Sequence, residues 1–346
     1  MKNLLEFSGI TAKVRAMQAK LLEPEDYEHI VALSSVGNIV SYLRGQPAYT
    51  KLLEPVEEKM MHRIAVETLL ILSLYQDYTK LYNFASKKQR QFLKLYLKRY
   101  EIDLINYCFR IVFNHYDQPF DLIYKKDFFD KYSQISIEKL ITSTTVGDLV
   151  DNLKDTEYYT TLKKLHERNA NTLYDYDLAL NLYYFSTLWN TQRKILKGKE
   201  LQQFKKDYGT KIDLLNLQWI YRAKKYYFLT NAELYHLLIP IHYKIPTDKI
   251  QELVETPSID EWGAVMETTY YAYKYDLKQE FALEKVYSSI LYRLYMSDRK
   301  QNPFSIATIN AYLFLKEKEI DKLTTALECI RYGLSVQETL EYLNQR

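Results

Sequence analysis

Six histidines, His29, His62, His115, His166, His236 and His242, are the side chains best suited to metal ligation or proton transfer, and they are scattered along the chain. A carboxylate-bridged di-metal site in a helical bundle needs two Glu-x-x-His pairs and two further glutamates. Only Glu233 with His236 has that spacing, so no metal is expected. Gly198-Lys199 lacks the upstream glycine and the following Ser or Thr of a phosphate-binding loop, so nucleotide is not expected to bind in that way. No Ser or Cys stands in a context that predicts an adjacent base. A triad assembled from distant segments remains open at this level. The cations are more informative. Lys87, Arg90, Lys94 and Lys98, spaced 3, 4 and 4, share one face of a helix, while Phe92, Leu93, Tyr96, Leu97 and Tyr100 occupy the rest. Such a face is either an ordinary solvated surface or part of a positive rim that meets a partner.

Asp127 and Asp130 bracket two phenylalanines in a spacing similar to the magnesium-binding aspartates of all-α prenyl-transferring enzymes. Those enzymes cluster several carboxylates against a diphosphate. Here one pair stands among Lys125, Lys126 and Lys131, which reads as a solvated helix start. Formal charge is +3 from 47 basic and 44 acidic residues, too balanced for a nucleic-acid binder, so any electrostatic function must be local. The longest uncharged run, Leu178 to Gln192, carries Asn, Ser, Thr and Gln, so no transmembrane segment is expected. The opening MKNLLEFSGI lacks the apolar core of a signal peptide. Cys108 and Cys329 each lie on a helical pattern, which predicts two free, buried thiols.

The elements that must carry these side chains are helices. There are only eight Gly and eight Pro, and Pro24, Pro55, Pro119, Pro246 and Pro257 fall between periodic segments. The 34 tyrosines sit mostly within helix-period stretches, where amphipathic packing accounts for them. A first helix is predicted from about Ile10 to Leu22, with Ile10, Val14, Met17 and Leu21 on one face and Pro24 as its stop. Val56 to Ala85 is one long helical pattern or two packed ones, and a basic helix follows it.

One stretch recurs three times. Ser35 to Leu53 places Val36, Ile39, Val40, Leu43 and Tyr49 where the stretch from Thr145 places Val146, Leu149, Val150, Leu153 and Tyr159. A third copy from Ser258 offers Ile259, Trp262, Met266 and then Tyr270 or Tyr271. Ser35, Thr145 and Ser258 are predicted N-caps, with Asp148 and Glu261 completing capping boxes. A second signature recurs at nearly the same period: Glu101-Ile102-Asp103 with Asn106 and Arg110, Lys211-Ile212-Asp213 with Asn216 and Arg222, and Glu319-Ile320-Asp321 with Arg331. Basic residues precede it in the second copy (Arg193, Lys194, Lys197, Lys199, Lys205 and Lys206) and more thinly in the third (Arg299 and Lys300). Two unrelated markers in the same order predict a triplication into helical units 1–116, 117–227 and 228–346. The junctions are expected at Tyr116-Asp117-Gln118-Pro119 and near Leu229-Thr230-Asn231.

With both signatures in hand, the chain resembles the central rotor component of V-type and A-type ATPases, called the d subunit in eukaryotes and the C subunit in prokaryotes. The resemblance is carried by VRAMQAKLL (Val14 to Leu22), KIDLLNLQWIYRAK (Lys211 to Lys224), LLIPIHYKI (Leu237 to Ile245), INAYLFLKEKEIDKL (Ile309 to Leu323) and YGLSVQETLEYL (Tyr332 to Leu343), in that order. It implies an all-α, funnel-shaped protein of three similar helical domains in a pseudo-threefold arrangement around a central cavity. It also implies a non-catalytic part without cofactor, peripheral on the cytoplasmic face of the membrane. Such a part caps the proteolipid rotor ring, receives the end of the shaft (subunits D and F), and transmits torque for ATP-coupled H+ or Na+ transport. The chain departs from the family in two places: His242-Tyr243-Lys244 replaces a more glycine-like turn, and Lys322-Leu323-Thr324 lacks the Asn and Arg often seen after the last Glu-Ile. The other readings open to these residues are a cytoplasmic α-helical repeat scaffold unrelated to ATPases and, third, an all-α lyase or transferase. The ring-facing candidates are Lys87, Arg90, Lys94 and Lys98.

Overall fold

The computed structural model describes residues 2–54, 62–114, 121–275 and 283–345, and every regular element among them is helical. The expected junction Tyr116 to Pro119, His115 and the start of the Val56 segment lie outside the described residues. The chain divides into a larger unit, Met1–Ser86, Gln202–Phe228 and Tyr243–Arg346, and a smaller one, Lys87–Leu201 and Leu229–His242.

The larger unit is built on the helix Ile306–Arg331. Its first nine residues, Ile306 to Phe314, are all buried, the pattern of a helix enclosed on every side rather than lying on a surface. Helices Lys2–Gln18, Arg63–Phe84, Leu283–Gln301 and Val336–Gln345 pack around it. The first helix differs from its expected bounds. It begins at Lys2 and ends at Gln18, and Pro24 is not a stop but the first residue of the next helix, where its missing N–H removes no bond. Ile10, Val14 and Met17 are buried as expected, and Leu21 is half-buried in the turn that follows.

In the smaller unit the helix Lys87–Phe113 lies against Leu173–Ile195, with the Tyr176 ring against Phe109 and Phe113 at centroid distances of 4.5 and 5.7 Å. The short helices Val146–Asn152 and Tyr159–Glu167 pack beside them.

The three predicted N-caps are present. Ser35 accepts the Asn38 N–H, Thr145 that of Asp148, and Ser258 that of Glu261. Asp148 closes a capping box on Thr145, and its hydrogen bonds with Thr144 and Thr145 hold its carboxyl down at about 2. Glu261 does not close one. Its carboxylate accepts the Ser258 hydroxyl at 3.1 Å instead, a choice open to Ser because its hydroxyl rotates. Both thiols are free and buried, and burial pushes Cys108 up to about 12.

Candidate functional site

Three long helices, Lys87–Phe113, Gly198–Arg222 and Ile306–Arg331, carry the second signature, and each holds a buried carboxylate within that signature. Glu101, Asp213 and Glu319 are those carboxylates, while Asp103 and Asp321 face solvent. The Ile-Asp pair therefore marks the site without supplying it in the first and third copies. In the second copy the acid stands two residues beyond Lys211, the position that matches Glu101 and Glu319.

Each carboxylate receives a tyrosine from the first marker. In the smaller unit, Tyr158 Oη donates to Glu101 Oε2 at 2.6 Å, and the Ser133 hydroxyl donates to the other oxygen. In the larger unit, Tyr271 Oη donates to Asp213 Oδ2 at 2.8 Å, and the backbone N–H groups of Tyr243 and Lys244 donate to the same carboxylate at 3.0 and 2.7 Å. Also there, Tyr49 Oη donates to Glu319 Oε1 at 2.5 Å, and the Leu22 N–H to Oε2 at 2.6 Å. Lys316 adds a cation, with its ammonium 2.8 Å from Glu319, 2.9 Å from the Tyr49 hydroxyl and 4.3 Å from that ring's centre.

The pattern is one clasp made three times. A carboxylate on a long helix joins a marker tyrosine to a second segment near residue 22, 133 or 243. Tyr49 and Tyr271 are expected positions. The second marker tyrosine is Tyr158 rather than Tyr159, because Tyr158 is 1% exposed and caps the next helix while Tyr159 turns half outward. Of Tyr270 and Tyr271, Tyr271 is the buried one. Burial, then the adjacent carboxylate, drives all three phenols far above their ordinary range, so they remain donors at any physiological pH. Burial also raises Asp213, opposed by the hydrogen bonds it accepts. A buried hydrogen bond to a charged group contributes about 1.5–3 kcal/mol. Because they join segments distant in sequence, these bonds fix the geometry of the helices that carry them.

Local sequence makes room for the middle clasp. A Cβ on Gly209 would lie 2.5 Å from Tyr243 Cγ, so the glycine leaves the space that the Tyr243 ring fills. Tyr243 is thus seated against a glycine on the facing helix.

The same helix carries one member of a carboxyl pair that nothing in the sequence pattern announces, the other lying on the helix Leu283–Gln301. Asp207 accepts from Gln203 and Asn310, each at 3.0 Å, and contacts Asp298, which forms an ion pair with Lys206 and accepts from Gln203 at 2.6 Å. Full burial first, and the Asp298 charge second, raise Asp207 well above the usual carboxylate range. Lys206 is therefore engaged with a buried carboxylate of its own unit, and Arg299 likewise donates to Gln18.

The expected basic face lies on the Lys87–Phe113 helix, with Lys87 and Lys94 exposed and Arg90 also exposed. Lys98 is half-buried and ion-paired with Glu157, whose other oxygen accepts from Tyr183 at 2.8 Å. Arg193, Lys194, Lys197 and Lys199 are exposed. Asp127 and Asp130 are exposed as well, Asp130 pairing with Lys126 at 2.6 Å while Phe128 and Phe129 turn into the core. Glu233 closes a capping box on Thr230, which lowers its carboxyl, and His236 beside it is exposed. Among the described residues no group of three or more His, Cys, Asp or Glu is placed to hold a metal, and no helix is long and apolar enough to cross a membrane.

A family model described as "ATP synthase (C/AC39) subunit" matches residues 10–342. Three relatives, each named as the C subunit of an A-type ATP synthase, align along nearly all of the chain. That of Methanocaldococcus jannaschii is 24% identical, covering 94% of this chain and 83% of its own. That of Archaeoglobus fulgidus is 22% identical, covering 97% and 95%. That of Thermococcus kodakarensis is 23% identical, covering 98% and 90%. The match runs through all three clasps, from the segment at Leu22 to the helix that carries Glu319.

Proposed function

The chain belongs to the ATP synthase (C/AC39) subunit family, and on that footing we propose that it is the rotor part linking the central shaft to the membrane ring of a V/A-type ATPase. It is a structural subunit of the complex rather than a catalyst. Its partners are the proteolipid subunits of the ring on one side and the shaft subunits D and F on the other. It works as a peripheral protein on the cytoplasmic face of the membrane, and the torque it passes couples ATP to H+ or Na+ transport. The units 1–116, 117–227 and 228–346 are the repeats from which it is built.

The observation that carries this reading is the family match over residues 10–342. The clasps agree with it physically. Torque applied at one end of a helical part is passed on only if helices do not slide, and ridges-into-grooves packing alone resists sliding weakly along the groove direction. A buried, directional bond between a helix centre and two other segments blocks that motion. The Lys87, Arg90, Lys94 and Lys98 face is the surface we assign to the ring, where cations meet polar loops or anionic headgroups.

Purification through a tag on this chain from membranes of the source cell tests the assignment. Recovery of the proteolipid ring together with the shaft subunits is the expected result. Recovery of the chain alone, or with unrelated cytoplasmic proteins, returns it to the repeat-scaffold class.

A further inference from the structure

The long helix Gly198–Arg222 does not end in an ordinary cap. It passes into a π-helical turn, Ala223–Tyr227, and stops at Phe228, whose φ of 51° lies in the left-handed region. A bulky residue there is strained, and Gly or Asn is the usual occupant. The result of this costly geometry is exposure: Tyr226, Tyr227 and Phe228 are 57, 69 and 82% exposed. Three consecutive aromatics in water have no packing explanation, and local strain combined with an exposed apolar tip is a mark of a binding surface.

The turn is ordered by its own cations. The Lys224 ammonium donates to the Thr256 carbonyl at 2.6 Å, which ties the turn to the end of the helix Thr247–Glu255. The Lys225 ammonium lies 5.1 Å from the Tyr221 ring centre and 5.3 Å from that of Tyr226, and donates to the Tyr221 hydroxyl at 2.8 Å. The segment that carries the tip is cationic in sequence. From Leu214 to Ala232 the chain has no Asp or Glu and carries Arg222, Lys224 and Lys225.

We propose that the Lys224–Phe228 turn is an interfacial anchor that inserts its aromatic tip among the headgroups of an anionic bilayer. Charge complementarity selects the occupant, because a segment that carries three cations and no acid of its own is attracted to anionic headgroups. The arrangement of the rings separates a bilayer from a protein. Successive residues of a helical turn fan out around it, and a protein partner holds its anchors in convergent, fixed pockets. A headgroup layer accepts rings splayed in several directions, and Tyr with flanking Lys is the composition that the interface favours. Lys225, lying against two aromatic rings with its ammonium at their polar end, is placed to reach headgroup phosphate as the rings enter.

The test uses the purified full chain, co-sedimented with vesicles of phosphatidylcholine alone and of phosphatidylcholine mixed equally with phosphatidylglycerol. The wild type should bind the mixed vesicles and bind the neutral ones poorly. The triple variant Tyr226→Ser, Tyr227→Ser, Phe228→Asn keeps a residue that tolerates the left-handed turn, and should bind roughly ten-fold more weakly with an unchanged circular dichroism spectrum. Phe228→Trp should show a blue-shifted emission increment, relative to wild type, on the mixed vesicles only. Absence of wild-type binding, undiminished binding of the triple variant, or no emission shift overturns the proposal. So does retention on native membranes that depends on the turn but has no counterpart on protein-free vesicles, which would assign the tip to a protein. Since no ring or shaft is present, the vesicle result is independent of the rotor assignment.

Discussion

Tyr49 Oη donates to Glu319 Oε1 at 2.5 Å across 270 positions of chain, and both side chains are almost fully buried. The bond fastens the start of the larger unit to the helix at its centre. Tyr49→Phe keeps the ring and its contact with the Lys316 ammonium but removes the donor. Glu319 keeps Lys316 and the Leu22 N–H, so the loss should be about 1–3 kcal/mol, read as a lower midpoint in urea. Glu319→Ala leaves the Tyr49 hydroxyl, the Lys316 ammonium and the Leu22 N–H without an acceptor, and should cost clearly more. A Tyr49→Phe variant as stable as wild type would mean that the Tyr49 bond is not a stabilising contact, and equal losses for the two variants would mean that the Lys316 and Leu22 bonds add nothing to it.

Gly209 makes the middle clasp sensitive to a single methyl group. Gly209→Ala places a Cβ within 2.8 Å of both Tyr243 Cβ and Cγ, and Tyr243 supplies one of the N–H groups on Asp213. Alanine favours helix over glycine by about 1 kcal/mol, so an unobstructed site would be stabilised. Instead a loss of about 1–3 kcal/mol is expected from overpacking. Adding Tyr243→Ala should recover much of it. A Gly209→Ala variant as stable as wild type would contradict this placement of the ring.

Asp207 gives a pH dependence with a definite sign. Its folded-state pKa is raised by burial and by Asp298, while in the unfolded chain it is near 3.9. Between those values the folded state holds more protons than the unfolded one, so the contribution of Asp207 to stability falls as pH rises through that window. Asp207→Asn retains an acceptor for Gln203 or Asn310 and removes the titration. The variant should therefore gain on wild type as pH rises from about 4 to neutrality. Thermal midpoints of the two proteins compared at matched pH values check this, and parallel curves would refute it.

These particulars also show which features sequence patterns carry. The caps at Ser35, Thr145 and Ser258 are legible because they depend on residues three apart, and the apolar stripes because helix period is local. The carboxylate partners of the marker tyrosines are not, since pairing Tyr49 with Glu319 is a tertiary fact that no spacing encodes. Asp103 and Asp321 look like the recurrent acids in sequence, yet their neighbours two residues before, on another side of the helix, face inward. Tyr158 takes the place expected for Tyr159 through a one-residue difference in loop length, which an apolar stripe cannot detect when both candidates are tyrosine. The Asp207–Asp298 pair is invisible for a stronger reason: buried acids break the hydrophobic pattern by which a core is read.

The basic face offers a direct test of the proposed contact with the ring. Lys87, Arg90 and Lys94 lie toward solvent, whereas Lys98 is engaged with Glu157 inside its own unit. If cations on this face attract the ring, the first three should carry the effect and Lys98 should act chiefly on the fold. Replacing Lys87, Arg90 and Lys94 by Glu changes three exposed residues, and substitutions at exposed positions shift stability little, so circular dichroism and thermal midpoint should change far less than ring association. Association with the isolated ring should weaken several-fold at low ionic strength, and the difference from wild type should shrink as salt screens exposed charges. Lys98→Glu alone would place a carboxylate against Glu157, lowering the midpoint with little change in association. Unaltered ring association of the folded triple variant at low salt would leave these residues as solubilising charges and move the ring-facing surface elsewhere.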